Sequence, residues 1–381
     1  MNLCIITSSY PLNPRDAQAA AGFFVRDFAI ELYKAGHNIY ILTQQKEGLV
    51  EDATGLKVIR YKWAKEARPL SRLNPFNPQD VLFRILPLIQ NGKKTLFNLI
   101  QTEKIDFCLA MWAIPAGYLT CLAHKKLRIP YAVYCLGSDI WDYGRNPLSR
   151  PLLKKILNNA HNLFADGCQL ALDVEKISKN KCHFLASSRV LPKPEAEITL
   201  DKNKTNFLFI GRYHKNKGAD VLIEAIKLIP RELLKKIHFH LFGGGELEDL
   251  LRVKIKEYDL ENAVSLGGFI DAQKASGYLS ACGCLIIPSR IESIPVILSD
   301  GLQAEIPLIV SDTGDMGKLV KEYNAGKVVR PQDPGGLKDA ITEFIQEDKN
   351  KYSAGIKELK DVFDLKKNVS DFLENLWPTK K

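Results

Sequence analysis

Short apolar segments rich in β-branched residues alternate along the chain with segments in which apolar residues recur every three or four positions. The first kind is typical of buried parallel strands, and the second of amphipathic helices that cover such a sheet. The alternation starts again near residue 206, so it predicts an α/β protein with two parallel sheets. The predicted strands are 2–10, 38–43, 106–110, 131–135 and one near Phe184, then 206–210, 238–242, 264–269, 285–287, 307–311 and 326–329.

A charged stretch of low apolarity separates the two halves. It follows Leu191-Pro192-Lys193-Pro194 and continues to Thr205, which is the composition of a linker. The predicted domains are residues 1–195 and 203–361, with further helices toward the C-terminus. A chain of 381 residues is long enough for two hydrophobic cores.

The stretch from Pro288 to Gly314 carries the most specific pattern. An apolar strand leads into a polar loop, in which Ser293 and Pro295 suit the N-cap and the first turn of a helix. Glu292 and Asp300 stand eight positions apart, so a helix separates them by roughly 12 Å. They cannot bind one small atom together, but they suit two parts of an elongated ligand at the carboxyl edge of a sheet. A buried helix with one solvated acid at each end is the alternative.

A basic loop follows the first predicted strand of the second half. Arg212 and Lys217 lie there between two glycines, and two fixed cations at a strand end can neutralise a diphosphate group. Three glycines at 243–245 follow the next strand and suit close approach of the backbone to a ligand. A dinucleotide fingerprint would need glycine where the chain has Glu248, so a Rossmann cofactor is not expected.

These motifs resemble those of the retaining glycosyltransferases of the GT-B fold, family 4, or glycosyl transferases group 1. Glu292 and Asp300 correspond to a motif of Glu, seven residues and Glu, and the loop 211–218 is similar to the family's basic loop. The segments 22–26 and 137–139 resemble parts of the family's N-terminal domain. The resemblance implies two Rossmann-like, doubly wound parallel-sheet domains that face a central cleft. It also implies that the last helix, about 362–381, packs back on the first domain.

By this resemblance, the C-terminal domain holds a nucleotide sugar and the N-terminal domain receives the acceptor. The implied donor-binding residues are Gly22, Arg212, Lys217, Gly244, Gly268, Phe269, Glu292, Ser293, Ile294, Pro295 and Asp300. The implied acceptor-binding residues are Trp112, Ser138 and Asp139. The residues expected to act in catalysis are Arg212, Lys217, Glu292 and Asp139.

The chain departs from the family pattern at positions that bear on catalysis. Asp300 replaces a glutamate, while Leu136 and Met111 stand where the family commonly has histidines. No catalytic base is therefore assigned by analogy. Asp139 is the nearest ionisable group and is expected to contact the acceptor hydroxyl; capping of its own turn is the alternative.

The expected reaction is sugar transfer from a nucleotide-diphosphate sugar to a glycan or lipid-linked acceptor, in cell-surface polysaccharide or glycolipid synthesis. The chain has no Asp-x-Asp pair, so we expect metal-independent transfer with retention and without a cofactor. The leaving phosphate would take the acceptor proton. A nucleotide-sugar 2-epimerase, a phosphorylase of the same fold and a degenerate binding or scaffold subunit are the alternatives.

Charge and cysteine usage bear on partners and location. Residues 1–200 hold 26 Lys+Arg against 17 Asp+Glu, whereas residues 201–381 hold 27 of each, so the net charge of +9 belongs to the first half. This asymmetry favours an anionic membrane surface or a phosphorylated acceptor over nucleic acid. The basic, apolar stretch 59–104 suits a membrane surface or a helix packed on its own sheet. Scattered cysteines, no leader and no spanning segment predict a cytoplasmic protein, with peripheral membrane contact as an option.

Overall fold

The computed structural model describes residues 1–16, 20–46, 48, 54–64, 73 and 77–376, with the backbone alone at 20 and 21. Parts of two predicted segments, the basic, apolar stretch 59–104 and the last helix, about 362–381, lie outside these residues. The chain forms two compact units, Met1–Ala186 with Leu365–Lys381, and Ser187–Asp364. Among the described helices, none combines the length and apolarity needed to cross a bilayer.

The first unit is built on a sheet of seven parallel strands in the order β3-β2-β1-β4-β5-β6-β7. Its central strands are buried throughout, as expected for a sheet covered on both faces. The strands are β1 (Asn2–Ile6), β2 (Asn38–Gln44), β3 (Lys57–Tyr61), β4 (Phe107–Met111), β5 (Tyr131–Cys135), β6 (Asn162–Ala165) and β7 (Cys182–Phe184).

Helices cover this sheet and connect its strands. They are α1 (Ala20–Lys34), α2 (Pro78–Asp80), α3 (Leu86–Thr102), α4 (Tyr118–Leu127), α5 (Ser138–Arg145), α6 (Arg150–Asn159) and α7 (Cys168–Ser178), with π-helical turns at Val81–Ile85 and Ala113–Gly117. Residues 78–102 are therefore helical without a break.

The second unit repeats this architecture around six parallel strands in the order β10-β9-β8-β11-β12-β13. The strands are β8 (Thr205–Ile210), β9 (Ile237–Phe242), β10 (Val264–Gly267), β11 (Cys284–Ile287), β12 (Leu308–Ser311) and β13 (Gly326–Val329). The helices are α8 (Ala219–Lys227), α9 (Arg231–Leu234), α10 (Glu248–Glu257), α11 (Ala272–Ala281), α12 (Val296–Gln303), α13 (Met316–Glu322), α14 (Pro334–Gln346) and α15 (Ser353–Val362), with 3-10 turns at Lys215–Lys217 and Lys349–Tyr352.

The predicted class, two Rossmann-like parallel sheets, is confirmed. The sequence pattern missed β3 and β6, and it extended β10 to Phe269. The predicted N-cap at Ser293 is wrong, because Pro295 occupies the N-cap position of α12. Pro295 has an extended ψ of 139°, so the chain enters the helix two residues later than the pattern indicates.

The first unit extends to Ala186 rather than to residue 195. The difference has a physical reason, because the next residues are bonded to α12 of the second unit. The amide of Gln303 donates to the carbonyl of Arg189 at 2.7 Å and accepts from the N–H of Leu191 at 3.0 Å. The segment 189–191 is thus tied to the unit that follows it.

The last described helix, α16 (Leu365–Leu376), belongs to the first unit. Phe372 is 1% exposed, and its ring centroid lies 5.3 Å from that of Phe28 and 5.1 Å from that of Phe164. The amide of Asn162 donates to the carbonyl of Asn375 at 2.6 Å. Residues far apart in sequence therefore complete one core.

We expect Phe372→Ala to lower the free energy of unfolding of the first unit by about 3–5 kcal/mol, because it leaves a cavity between two aromatic rings. Urea unfolding followed by tryptophan fluorescence measures the loss. Asp371→Ala is the matched control, since Asp371 is an exposed neighbour on the same helix. Equal effects of the two substitutions would contradict the packing described for α16.

Candidate functional site

The loops that follow the strands of the second sheet meet at its carboxyl edge. β8 and β11 are neighbours at the point where the strand order reverses, and such a switch point opens a crevice in which α/β proteins bind ligands. The loop after β8 holds Arg212 and Lys217, and the loop after β11 holds Glu292. The fold thus brings the predicted cations and the first predicted carboxylate to one crevice.

Two close backbone contacts join these loops. A Cβ atom at Gly218 would lie 2.0 Å from the carbonyl oxygen of Pro288, and Gly218 has a φ of +73°. Both observations require glycine at this position. The N–H of Arg290 donates to the carbonyl of Asn216 at 2.7 Å. The two loops therefore form one rigid rim.

Arg290 fastens the same loops through its side chain. Its Nη1 and Nη2 atoms donate to the two carboxylate oxygens of Asp220 at 2.7 Å each, and Nη1 also donates to the carbonyl of Lys215 at 2.5 Å. Burial raises the pKa of Asp220, but the hydrogen bonds and charge of Arg290 outweigh it, so the pKa is lowered. This pair is not predicted from the sequence, where its only signal is an arginine two positions before Glu292.

Lys217 and Glu292 form an ion pair on this rim. The Lys217 ammonium lies within hydrogen-bonding reach of Oε2 of Glu292. The two side chains are 26% and 18% exposed, so the pair is partly desolvated yet open to a ligand. A partly buried pair of this kind can exchange partners when an anion competes for the ammonium.

The remaining predicted donor residues of the basic and glycine-rich loops line the same edge. Arg212 is exposed. A Cβ atom at Gly244 would lie 2.5 Å from the ring of Phe269, and the carbonyl of Gly268 accepts from the N–H of Gly243 at 3.1 Å. Phe269 is 46% exposed, so it presents an aromatic surface beside the glycine loop.

Ser293, Ile294 and Pro295 are buried in the loop before α12. The Oγ atoms of Ser289 and Ser293 have no hydrogen-bond partner among the described residues, although both side chains are buried. Buried hydroxyl groups ordinarily have a partner. These two are therefore candidate ligand contacts, and Ser289 is not among the residues predicted from the sequence.

Asp300 lies apart from the Lys217–Glu292 pair. It is fully buried, and its oxygens accept from Nε of Arg189 at 3.0 and 3.1 Å and from Nη2 of the same residue. Both residues belong to the second unit. Asp300, the second predicted carboxylate, is therefore bound by Arg189 within the same unit. Glu292, the first, faces the crevice.

The first unit has its own switch point between β1 and β4. Gly22, in the first turn of α1, packs closely on the loop after β1, because a Cβ atom there would lie 3.0 Å from Pro11 Cδ. Trp112 follows β4 with a φ of +71°, a strained conformation for a tryptophan, and its ring meets that of Phe24 edge-on at 6.3 Å. Ser138 begins α5 and is exposed.

Asp139 joins the two loops that carry Trp112 and Ser138. Its Oδ2 accepts from the N–H of Ala113 at 2.6 Å, and its Oδ1 accepts from the N–H of Leu136 at 3.0 Å. Burial raises the pKa of Asp139 to about 6, although these two hydrogen bonds favour the charged form. This arrangement favours the capping role over direct contact with an acceptor.

Within the described part of the chain, no group of three or more His, Cys, Asp or Glu side chains is placed to hold a metal ion.

Two models of known protein families match this chain. The model of the family described as Glycosyl transferases group 1 matches residues 193–361, and that described as Glycosyl transferase 4-like matches residues 17–167. The chain belongs to the group 1 glycosyltransferases. Its family membership agrees with the two parallel sheets and with the basic loop and carboxylate at the second switch point.

The similar curated glycosyltransferases are distant in sequence. An uncharacterised glycosyltransferase of Methanocaldococcus jannaschii is 26% identical, over 72% of this chain and 75% of that protein. The amylovoran biosynthesis glycosyltransferase AmsK of Erwinia amylovora is 23% identical, over 64% of this chain and 63% of that protein. The putative teichuronic acid biosynthesis glycosyltransferase TuaC of Bacillus subtilis is 21% identical, over 91% and 90%.

Solved glycosyltransferase structures share the fold over nearly the full length. Sucrose-phosphate synthase from Thermosynechococcus elongatus has a TM-score of 0.79 at 17% identity, covering 98% of both chains. Anabaena Alr3699/HepE in complex with UDP-glucose has a TM-score of 0.72 at 16% identity, covering 99% of both chains. At these identities the likeness shows the GT-B fold.

We expect Arg290→Met to lower the free energy of unfolding of the second unit by about 2–4 kcal/mol, because it leaves the carboxylate of Asp220 without its bidentate partner. Urea unfolding measures the change. Arg231→Met is the matched control, since it removes an exposed ion pair with Asp259 and is expected to cost under about 1 kcal/mol. Similar losses in both variants would count against the clamp.

Asp139→Asn is expected to change how stability depends on pH. The pKa of Asp139 is raised from 3.8 to about 6 in the folded protein, so the folded state binds the proton more tightly than the unfolded state does. The stabilisation is therefore complete below about pH 4 and is lost as the pH rises through about 6. Relative to the variant, the wild type should lose up to about 3 kcal/mol of unfolding free energy between about pH 4 and pH 7.

Urea titrations at a series of pH values measure this difference. Asp371→Asn, at an exposed position of α16, is the control and should leave the profile of the wild type unchanged. A constant difference between the wild type and Asp139→Asn across the range would show that Asp139 does not titrate there.

Proposed function

We propose that this chain is a retaining, metal-independent hexosyltransferase. It moves a sugar from a nucleotide-diphosphate sugar to a glycan or lipid-linked acceptor, without a cofactor, in cytoplasmic synthesis of a cell-surface polysaccharide or glycolipid. The observation that carries the proposal is the ion pair of Lys217 and Glu292 at the second switch point. It supplies a cation for a diphosphate and a carboxylate for a sugar at adjacent places.

The comparisons support the substrate classes. AmsK of Erwinia amylovora is named for amylovoran biosynthesis, and WcaL of Escherichia coli is putatively assigned to colanic acid biosynthesis. Structures of Anabaena Alr3699/HepE are described with UDP and glucose and with UDP-glucose. The similarity to these proteins supports a polysaccharide pathway and a nucleotide-sugar donor for this chain.

Donor binding would begin with an exchange of ionic partners. The diphosphate competes with Glu292 for the ammonium of Lys217, and Arg212 on the same loop adds a second cation. The carboxylate of Glu292 is then released to accept hydrogen bonds from hydroxyl groups of the donor sugar. Phe269 offers an aromatic surface for the nucleobase.

Transfer would break the bond between the sugar C1 atom and the phosphate oxygen. Lys217 and Arg212 neutralise the charge that develops on the leaving diphosphate. The acceptor hydroxyl attacks C1 on the face that the phosphate leaves, and its proton passes to a phosphate oxygen. This route needs no protein base, which agrees with Leu136 and Met111 at the positions of the family's histidines.

Asp139 takes a positioning part in this proposal. Its carboxylate holds the N–H groups of Ala113 and Leu136, so it fixes the loops that carry Trp112 and Ser138. Those two residues are the proposed acceptor contacts. The proposed metal independence rests on the absence of an Asp-x-Asp pair from the sequence.

One observation favours a second candidate, a subunit that binds the donor without transferring its sugar. Asp300 is buried against Arg189, so it is not presented to the crevice as the resemblance implies. Slow release of free sugar from a bound nucleotide sugar would exclude this candidate.

Glu292→Gln should separate binding from turnover. The substitution removes the carboxylate that competes for Lys217, so we expect the affinity for a nucleoside diphosphate to stay equal or rise several-fold. Donor hydrolysis should fall by at least about 100-fold, because the sugar loses its charged hydrogen-bond acceptor. Calorimetric titration with UDP, GDP and dTDP, and release of sugar from UDP-, GDP- and dTDP-sugars, measure the two effects.

Lys217→Ala is the companion variant and should weaken nucleoside diphosphate binding by about tenfold or more. Lys215→Ala is its matched control, because Lys215 is an exposed lysine of the same loop. Weaker diphosphate binding in Glu292→Gln, or equal losses in the two lysine variants, would contradict the proposed exchange of partners.

A further inference from the structure

The first turns of the helical stretch 78–102 carry an exposed apolar surface. Leu82, Phe83 and Leu86 are 58%, 63% and 42% exposed, although each is a large apolar side chain. They follow one another on the first turns of the stretch, so they form one patch rather than scattered positions. We call Leu82, Phe83 and Leu86 the apolar tip. An exposed cluster of this kind marks a surface that contacts something else.

The apolar tip lies beyond the carboxyl edge of the first sheet. The amide of Asn91 donates to the carbonyl of Lys62, one residue after β3 ends, so Asn91 stands level with that edge. Leu86 and Leu82 precede Asn91 by five and nine residues, which places them roughly 7 and 13 Å farther along the helix axis. The helix continues to Thr102 and leads to the amino end of β4, which fixes its direction.

Cations flank the apolar tip. Lys62, Lys93 and Lys94 are exposed near the level of Asn91, while Arg84 is engaged with Asp80. Residues 57–104 hold ten Lys+Arg against three Asp+Glu, so this stretch carries +7 of the chain's net charge of +9. Most of the net positive charge therefore belongs to the stretch of sequence that carries the apolar tip.

We propose that the apolar tip and Lys62, Lys93 and Lys94 form a docking surface for an anionic lipid bilayer. Apolar side chains that enter the acyl boundary, with lysines at the headgroup level, are the features that hold a helix at such an interface. An apolar protein partner would account for the tip but not for the exposed lysines Lys62, Lys93 and Lys94.

The position of the surface indicates the acceptor class, and this step rests on the proposed function. Trp112 and Ser138 follow β4 and β5, so they lie at the same carboxyl edge as the apolar tip. Docking through the tip would turn that edge toward the membrane. The acceptor is then a lipid-linked glycan presented from the bilayer rather than a glycan free in solution.

Sedimentation of the full chain with vesicles tests the proposal. We expect binding to vesicles of phosphatidylcholine and phosphatidylglycerol at about 0.1 M salt, and little binding to vesicles of phosphatidylcholine alone. The triple variant Leu82→Ser, Phe83→Ser, Leu86→Ser should lower the partition coefficient by at least about tenfold. Leu148→Ser with Leu172→Ser is the matched apolar control, since these residues are 75% and 52% exposed in the same unit.

A pair of charge variants tests the lysines. Lys93→Glu with Lys94→Glu should reduce binding by more than about 20-fold, because each reversal removes one attraction and adds one repulsion. Lys125→Glu with Lys126→Glu makes the same change in net charge at the C-terminal end of α4, at the opposite edge of the sheet. This control should retain binding to within about threefold.

The proposal is overturned if the wild type does not bind anionic vesicles, or if the triple variant binds as well as the wild type. It is also overturned if the two charge variants lose binding equally, or if the triple variant instead abolishes self-association of the chain. Unchanged thermal unfolding of each variant confirms that it is folded. Stabilisation by nucleotide sugars reports on the proposed donor site separately, so failure of vesicle binding and failure of the proposed function are distinguishable.

Discussion

Contact between the loops after β8 and β11 is the constraint on which the candidate site depends. Gly218 lets its loop reach the carbonyl of Pro288, where a Cβ atom would lie 2.0 Å from the oxygen. The guanidinium of Arg290 then fixes Asp220 and the carbonyl of Lys215 to the other loop. Neither loop contains a helix or strand long enough to fix its own conformation. The rim is rigid because contacts between the two loops fix both.

Two ion pairs in the second unit show how burial divides structural roles from chemical ones. Arg189 and Asp300 are 9% and 0% exposed at the side chain, and their hydrogen bonds satisfy a carboxylate that would otherwise be costly to bury. Lys217 and Glu292 are 26% and 18% exposed, so water and ligands reach them. The first pair joins the segment after Ala186 to α12, whereas the second keeps opposite charges ready at a crevice. Exposure, rather than residue type, separates the two.

The sequence was sufficient for the parts of this account that rest on local pattern. Apolar runs between amphipathic segments predicted two parallel sheets, and a strand, basic loop and helix at 206–228 predicted where cations would stand. It was not sufficient for pairings made by the fold. Arg290 and Asp220 are 70 positions apart, and the helical spacing of Glu292 and Asp300 gave a separation but no direction for either side chain. Asp139 is similar, since its partners Ala113 and Leu136 follow different strands.

Hydrogen–deuterium exchange in the presence of a nucleotide sugar locates the donor site without a substitution. UDP-glucose and GDP-mannose would be added in turn to the full chain. We expect the nucleotide sugar that binds to protect amides in the loops 211–218, 243–246 and 288–295 of the second unit. Binding with protection elsewhere and none in these loops would contradict this expectation.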